Sequence, residues 1–329
     1  MSIYAIGDLH LAFDPRIEKP MDVFGKEWEN HPERLKENWI GTVADSDIVI
    51  IAGDISWGLR LEEAMPDLRW IHELPGRKII TKGNHDLWWN SINRMNTLFD
   101  DITFLQNHCY KVDDNTAICG TRGWICPGTE GFDEHDRKVY NRELIRLRFS
   151  LEEAKSSGAE DIIAALHYPP TNDKHQPSGF SEMLEEYGVK TCIYGHLHGK
   201  ETFKKGYQGM MNAVEYRLVS LDYMECRLRK LRWRSMKRVI LMIADSMGVG
   251  AEPDADRYGD AGSNTLLHAA LNTPGFEIPN MSRLGLGNIL NPADFPDWKY
   301  AVPESEIAGA FGNCPQVRIQ PRDTGKLRA

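Results

Sequence analysis

Lys82-Gly83-Asn84-His85-Asp86 follows Arg77-Lys78-Ile79-Ile80-Thr81, a short β-branched run that reads as a buried strand. The pentapeptide sets metal-binding and proton-moving groups at the strand's exit, with a glycine to let the chain turn. In open α/β sheets, sites are built at the carboxyl ends of strands. Turns also favour Asn, Asp and Gly for backbone reasons alone, so this stretch by itself decides nothing. The deciding feature is its recurrence. Ile3–Ile6 runs into Gly7-Asp8-Leu9-His10, and residues 47–51 run into Ala52-Gly53-Asp54. Asp161–Leu166 runs into His167-Tyr168-Pro169-Pro170, and residues 189–194 into Gly195-His196-Leu197-His198-Gly199.

Helical patterns alternate with these strands, which argues an α/β fold. Pro32 opens a helix over 33–43, with Leu35, Trp39 and Ile40 or Val43 on one face. A second helix spans 59–74, with Pro66 able to kink or split it. Helices are also expected over 87–99, from about 137 to 156, and over 180–187. Short strands are expected at 102–105, 109–112 and 116–119, and a closing pair at 209–214 and 216–221. Residues 13–30 and 122–136 read as irregular surface loops.

Asp8, His10, Asp54, Asn84, His167, His196 and His198 are candidate metal ligands. Mixed carboxylate, amide and imidazole ligation suits Mn, Fe or Zn better than calcium. Seven ligands with one shared carboxylate are enough for two divalent metal ions. Such a pair clamps a phosphoryl group and lowers the pKa of a bridging water, which attacks phosphorus in line. Trp57, Trp88, Trp89 and Trp124 flank these motifs and could line a cleft or simply pack. Arg122 and Tyr168 lie in loops able to contact substrate. Arg122 has the chemistry of a phosphate clamp, with a solvated surface arginine as the alternative.

The 329 residues suit two domains. Their 41% hydrophobic and 26% charged content is that of a soluble globular protein. A net charge of −9 and the lack of a basic stripe argue against stable nucleic-acid binding. No apolar run is long enough to span a bilayer, and the N-terminal residues lack signal-peptide character. Six cysteines without a C-x-x-C fit a reducing compartment, so a cytoplasmic location is expected.

The five blocks, in order and spacing, resemble the calcineurin-like metallophosphoesterase family over about residues 1–230. That resemblance implies a four-layer sandwich of two mixed β-sheets flanked by helices. It further implies Asp8, His10 and His198 on one metal, Asn84, His167 and His196 on the other, and Asp54 bridging. His85 would stabilise phosphoryl charge or protonate the leaving oxygen, with Asp86 orienting its ring. The implied activity is hydrolysis of a phosphomonoester, a phosphodiester or a phosphoprotein. The alternative is a non-catalytic metal-binding scaffold whose access is blocked by the loops at 13–30 and 122–136.

The composition changes at a basic run, residues 227–234, read as an edge strand or linker, with 231–235 as the linker proper. A fresh apolar strand then ends in Asp245-Ser246. Residues 239–288 resemble the N-terminal region of phosphopentomutase, an alkaline-phosphatase-like metalloenzyme. The match rests on Asp245-Ser246-Met247-Gly248-Val249-Gly250, Pro253-Asp254-Ala255, Gly259-Asp260 with Asn264-Thr265-Leu266, and Leu284-Gly285-Leu286-Gly287-Asn288. It makes Asp245 a vestigial metal ligand. That family's nucleophile context and later ligands have no counterpart here, so residues 236–329 are expected to form an incomplete α/β fragment. No mutase activity, poor independent folding and a disordered end from Pro303 are expected. A fusion or frameshift of two reading frames would account for the layout.

Overall fold

The computed structural model describes residues 1–231 and, beyond them, 248, 255–259, 261–290, 295–296, 298–303 and 306–307. The chain divides into two compact units, Met1–Ser235 and Met236–Ala329. In the first unit the order is β1 (Ile3–Ile6), α1 (His31–Ile40), β2 (Ile48–Ala52), α2 (Leu61–His72), β3 (Arg77–Thr81), α3 (Ile92–Met95) and β4 (Ile102–Leu105). There follow β5 (Tyr110–Lys111), β6 (Thr116–Thr121), α4 (Glu134–Ser156), β7 (Asp161–Leu166), α5 (Gly179–Glu186), β8 (Thr191–Tyr194) and α6 (Lys200–Phe203). The unit closes with β9 (Gly209–Met211), β10 (Val214–Leu218) and β11 (Arg229–Lys230).

The strands form two mixed sheets, ordered β11-β1-β2-β3-β4 and β5-β6-β7-β8-β10-β9. The inner strands of each are parallel, and antiparallel β11, β5 and β9 sit at edges. Side chains alternate across a strand, so each apolar run feeds two cores. Ile3, Ala5, Ile48 and Ile50 meet Ile118, Ile163, Ala165 and Ile193 between the sheets. Tyr4, Ile6, Val49 and Ile51 turn the other way, onto Leu35 and Trp39 of α1 and Leu68 and Ile71 of α2. On the far side Ala117, Cys119, Ile162 and Ala164 pack against Leu147 and Leu151 of α4 and Leu184 of α5. Helices, sheet, sheet and helices thus make four layers, as the family resemblance implied.

Four local expectations change. The 87–99 helix shrinks to α3, because Trp88 is buried at the preceding turn and its indole nitrogen donates to Asp86 Oδ1 at 3.2 Å. Helix α2 runs unbroken through Pro66, its sixth residue, at the cost of the amide that would have bonded to the Glu62 carbonyl. Its Asp67 accepts from Phe13 N at 2.7 Å and from Ser56 Oγ, anchoring two loops at once. Residues 13–30 are not a plain surface loop: they hold 3-10 turns at Met21–Phe24 and Lys26–Trp28, with Met21 and Trp28 buried. The closing pair turns at Asn212 and Ala213, both at positive φ, rather than after 214.

The basic run contributes β11, and Leu231 packs in the inter-sheet core, its amide donating to Ile3 O at 2.9 Å. Leu231 is therefore part of the first unit rather than of a linker.

Among the described residues of the second unit are α7 (Thr265–Asn272) and α8 (Pro279–Arg283), around a cluster of Leu266, Leu290 and Trp298. Asn264 caps α7, accepting from Leu267 N at 3.0 Å. Asn288 exchanges two hydrogen bonds with the Val302 backbone, at 2.7 and 2.9 Å. The expected 239–244 strand, Asp245, residues 232–235 of the expected linker and residues 308–329 lie outside the described residues.

Candidate metal centre and active site

Parallel pairing brings the carboxyl ends of β1, β2 and β3 to one edge, and those of β7 and β8 to the matching edge of the second sheet. The loops beyond them are zipped together. Asp8 N donates to Gly53 O at 2.9 Å, and His10 N to Asp54 O at 3.0 Å. His196 N donates to both oxygens of Asp8, at 3.0 and 3.1 Å. Asp8, His10, Asp54 and His196 all sit in the left-handed region, with φ of 57°, 47°, 53° and 72°. Such backbone costs on the order of 1–3 kcal/mol per residue and gathers at functional sites. At Gly83 a Cβ would overlap the Asp54 carboxylate, and at Gly195 that of Asp8, so only glycine lets these loops approach.

All seven candidate ligands converge. In one half, His10 Nε2 lies 3.3 Å from His198 Nε2, and His198 Nε2 lies 3.6 Å from Asp8 Oδ1. In the other, Asn84 Oδ1 lies 2.7 Å from His167 Nε2 and 2.8 Å from His196 Nδ1. Asp54 Oδ2 sits between them, 3.8 Å from His10 Nε2 and 3.4 Å from His167 Nε2. Asp8 also approaches His167, at 3.8 Å, but on Nδ1, which is turned to the Ala52 carbonyl at 3.0 Å. Asp54 is therefore the carboxylate that meets both imidazole faces.

Burial alone pushes the Asp54 carboxyl up, but His167, His10 and the His85 amide outweigh it and hold it well below the usual carboxylate range. Burial lowers the His167 imidazole, yet Asp54 and Asp8 overcome this and hold it above its ordinary value. At His196 burial and the neighbouring His167 outweigh Asp54 and push the imidazole down to about 3. Carboxylates clustered so deeply call for a cation among them.

The donor chemistry fits that cation. His167 Nδ1 faces a carbonyl and His198 Nδ1 faces the Asp222 carboxylate at 3.1 Å. The tautomers these partners select aim the Nε2 lone pairs into the cluster, toward further oxygens and nitrogens. His10 Nδ1 is buried without a partner. Two groups, Asp8 with His10 and His198, and Asp8 with Asp54 and His167, have ligand atoms within 4.8 Å of one another.

Asp86 does not orient His85. Its oxygens accept from the amides of Asp54 (2.9 Å), Ile55 (2.8 Å) and Gly83 (2.7 Å). A fully buried carboxylate with three backbone donors has no lone pair aimed at the preceding residue's ring. The orienting carboxylate is Asp222, and its partner is His198. Asp222 Oδ2 also accepts from Gly199 N at 3.0 Å, which fixes the loop carrying the imidazole. Asp222→Asn is expected to weaken metal binding by about 10–100-fold, with little change in melting temperature, as read by calorimetric titration of the apoprotein. Unchanged affinity would remove Asp222 from the centre. Its only sequence signal is an acidic residue just past a strand-like run.

Arg122 and Tyr168 are not on the open side. Arg122 lies over Trp124 at 4.4 Å, with Nη2 3.6 Å from buried Glu143. Tyr168 is buried, its ring 4.1 Å from that of His196. It packs against a candidate ligand rather than facing the cleft. Of the four flanking tryptophans only Trp57 lines the cleft, stacked on His10 at 4.8 Å and tilted against His85 at 4.4 Å. Trp28, from an aperiodic segment, meets the rings of His10 and His198 edge-on at 5.6 and 5.4 Å. His31, unremarkable in the sequence, sets its two ring nitrogens 3.2 Å from Trp28 O and 3.0 Å from Leu9 O.

The cleft has a volume of about 880 Å³ and is lined by His10, His85 and His198. The His85 side chain is 44% exposed, so residues 13–30 wall the site without sealing it. His85 Nε2 points inward, 4.0 Å from Asp54 Oδ2.

Two stacked mixed sheets with an Asp/His/Asn centre at their strand ends define a metal-dependent phosphoesterase in general terms. The chain belongs to the calcineurin-like phosphoesterase family, whose pattern matches residues 1–200. Among curated proteins it is similar to the phosphopentomutase of Acetivibrio thermocellus, 57% identical over 91 residues, or 28% of this chain and 21% of that protein. The phosphopentomutase of Alkaliphilus oremlandii is 44% identical over 87 residues, 25% of this chain and 20% of that protein. The chain thus spans about a fifth of the length of these relatives. Among solved structures, the protein TT1561 of Thermus thermophilus is 12% identical with a TM-score of 0.45, covering 69% of this chain and 96% of that one. A 5'-nucleotidase precursor from the same organism is 15% identical with a TM-score of 0.30, covering 65% and 45%. No helix among the described residues is long and apolar enough to cross a membrane.

Proposed function

We propose that the first unit hydrolyses a phosphomonoester or phosphodiester with the help of two divalent cations, of which Mn, Fe and Zn fit the ligands best. Asp8, His10 and His198 would hold one, Asn84, His167 and His196 the other, and Asp54 both. The observation that carries this reading is the position of Asp54 Oδ2 between His10 and His167. Bound there, the cations would supply Lewis acidity and an activated water. Asp54 would hold both and balance part of their charge. His85, half-exposed above Asp54, offers its Nε2 proton to a phosphoryl oxygen or to the departing alcohol. Trp57 packs against both His85 and His10 and keeps their rings in register. Every residue named in this reading belongs to the first unit.

The test is turnover of p-nitrophenyl phosphate and its bis-ester by the full chain, with each metal and after chelation. Hydrolysis that disappears on chelation and returns with Mn²⁺ is expected. His85→Ala should lower kcat by about 10²–10⁴-fold while metal content stays constant. Chelation-resistant turnover would overturn the metal reading, and no turnover with any metal would overturn the hydrolase.

A further inference from the structure

The cleft beside His85 is larger than a phosphoryl group needs, and much of its remaining wall is aromatic, with Met21 and Lys200 beside the rings. Beyond the histidines it is lined by Phe24, Trp28, Phe203 and Tyr223. Phe203 and Tyr223 meet edge to face, with centroids 5.1 Å apart and planes at 73°. Phe24 lies at the end of a 3-10 turn and is 69% exposed, an unusual state for a phenylalanine that lines a pocket. Two exposed carboxylates, Glu27 and Glu225, line the same cleft. Because the cleft is continuous with His85, whatever fills the aromatic end is joined to the phosphoryl group.

Aromatic side chains favour flat rings through offset and edge-to-face contacts. An acyl chain laid along this wall would take water from Glu27 and Glu225 and return no hydrogen bond. A heteroaromatic ring with N–H groups stacks on the same surface and satisfies the carboxylates. Resting on the hydrolase reading above, we infer that the alcohol portion of the substrate carries a flat heteroaromatic ring with N–H donors, the chemistry of a nucleobase. The ring lodges among Phe24, Trp28, Phe203 and Tyr223, with its donors toward Glu27 and Glu225. Phosphoproteins and simple sugar phosphates lack that group.

The decisive comparison holds the leaving oxygen constant. Adenosine 5'-monophosphate and ribose 5-phosphate share the same primary alcohol and differ by the base. Each is offered to the Mn²⁺-loaded full chain, also as its methyl diester, beside a lysophosphatidate of equal head group. The nucleotide should exceed the ribose phosphate in kcat/KM by at least about tenfold, the size of one base-stacking contact. Phe24→Ala combined with Tyr223→Ala should bring that ratio to within about twofold of one, whereas Tyr223→Phe should keep it. A ratio near one in the wild type, a ratio untouched by the double substitution, or a preference for the lysophosphatidate would overturn the inference and leave the hydrolase intact. No turnover of any ester, p-nitrophenyl phosphate included, would sink both.

Discussion

Asp54→Asn should reduce phosphoester hydrolysis by at least about a thousandfold, equivalent to roughly 4 kcal/mol of transition-state stabilisation. The reason is charge rather than shape. The Asn amide oxygen can still accept from His85 N, as Asp54 Oδ1 does at 2.8 Å, so the loop keeps its path. What disappears is the negative charge that lies between His10 and His167 and is held ionised by both. Metal content by mass spectrometry should fall in both halves together. A comparison variant, His10→Ala, removes a donor from one half only and should lower the stoichiometry by about one ion per chain. Near-normal turnover by Asp54→Asn, or loss of a single ion, would refute the shared role.

The sheets and the candidate ligands were legible because both rest on short-range patterns. A parallel strand buried on two faces reads as an unbroken apolar run, and residues 48–52 or 161–166 do so without ambiguity. A metal ligand at a strand end needs a residue type that turn chemistry alone rarely repeats, and here it recurs at the ends of β1, β2, β3, β7 and β8. The misread helix at 87–99 shows where pattern fails. Leu87, Trp88, Ile92 and Met95 have helical spacing, but Trp88 is drawn inward by its bond to Asp86 and its packing on Phe104. A tertiary contact overrode a periodicity.

Supporting residues were illegible for a related reason. Asp222 reaches His198 across 24 positions, and Trp28 reaches His10 and His198 from a segment with no period. Neither residue type announces its partner. Asp86 is the instructive error. Adjacent to His85 in sequence, it looked like that residue's orienter, yet consecutive side chains leaving a turn need not face each other. Its true partners, the amides of Asp54 and Ile55, are some thirty residues away and belong to backbone that no side-chain pattern reports.

That reassignment yields a second large effect. Asp86 gathers the amides of Asp54, Ile55 and Gly83, with Ser56 N at 3.4 Å and the Trp88 indole, around one buried carboxylate. Asp86→Ala leaves these donors without an acceptor. A buried unsatisfied donor costs on the order of 1–3 kcal/mol. With partial relaxation and water entry, a total near 4 kcal/mol is expected, which lowers the melting temperature of a unit this size by about 10 °C. The loss should persist after chelation, because the clasp holds backbone and not metal. Had Asp86 acted only on the His85 tautomer, the substitution would shift the pH–rate profile and leave thermal stability alone, as His85→Ala is expected to do. Differential scanning calorimetry of the two variants, with and without metal, separates these outcomes. An Asp86→Ala protein that melts with the wild type would return Asp86 to the chemistry and remove it from the scaffold.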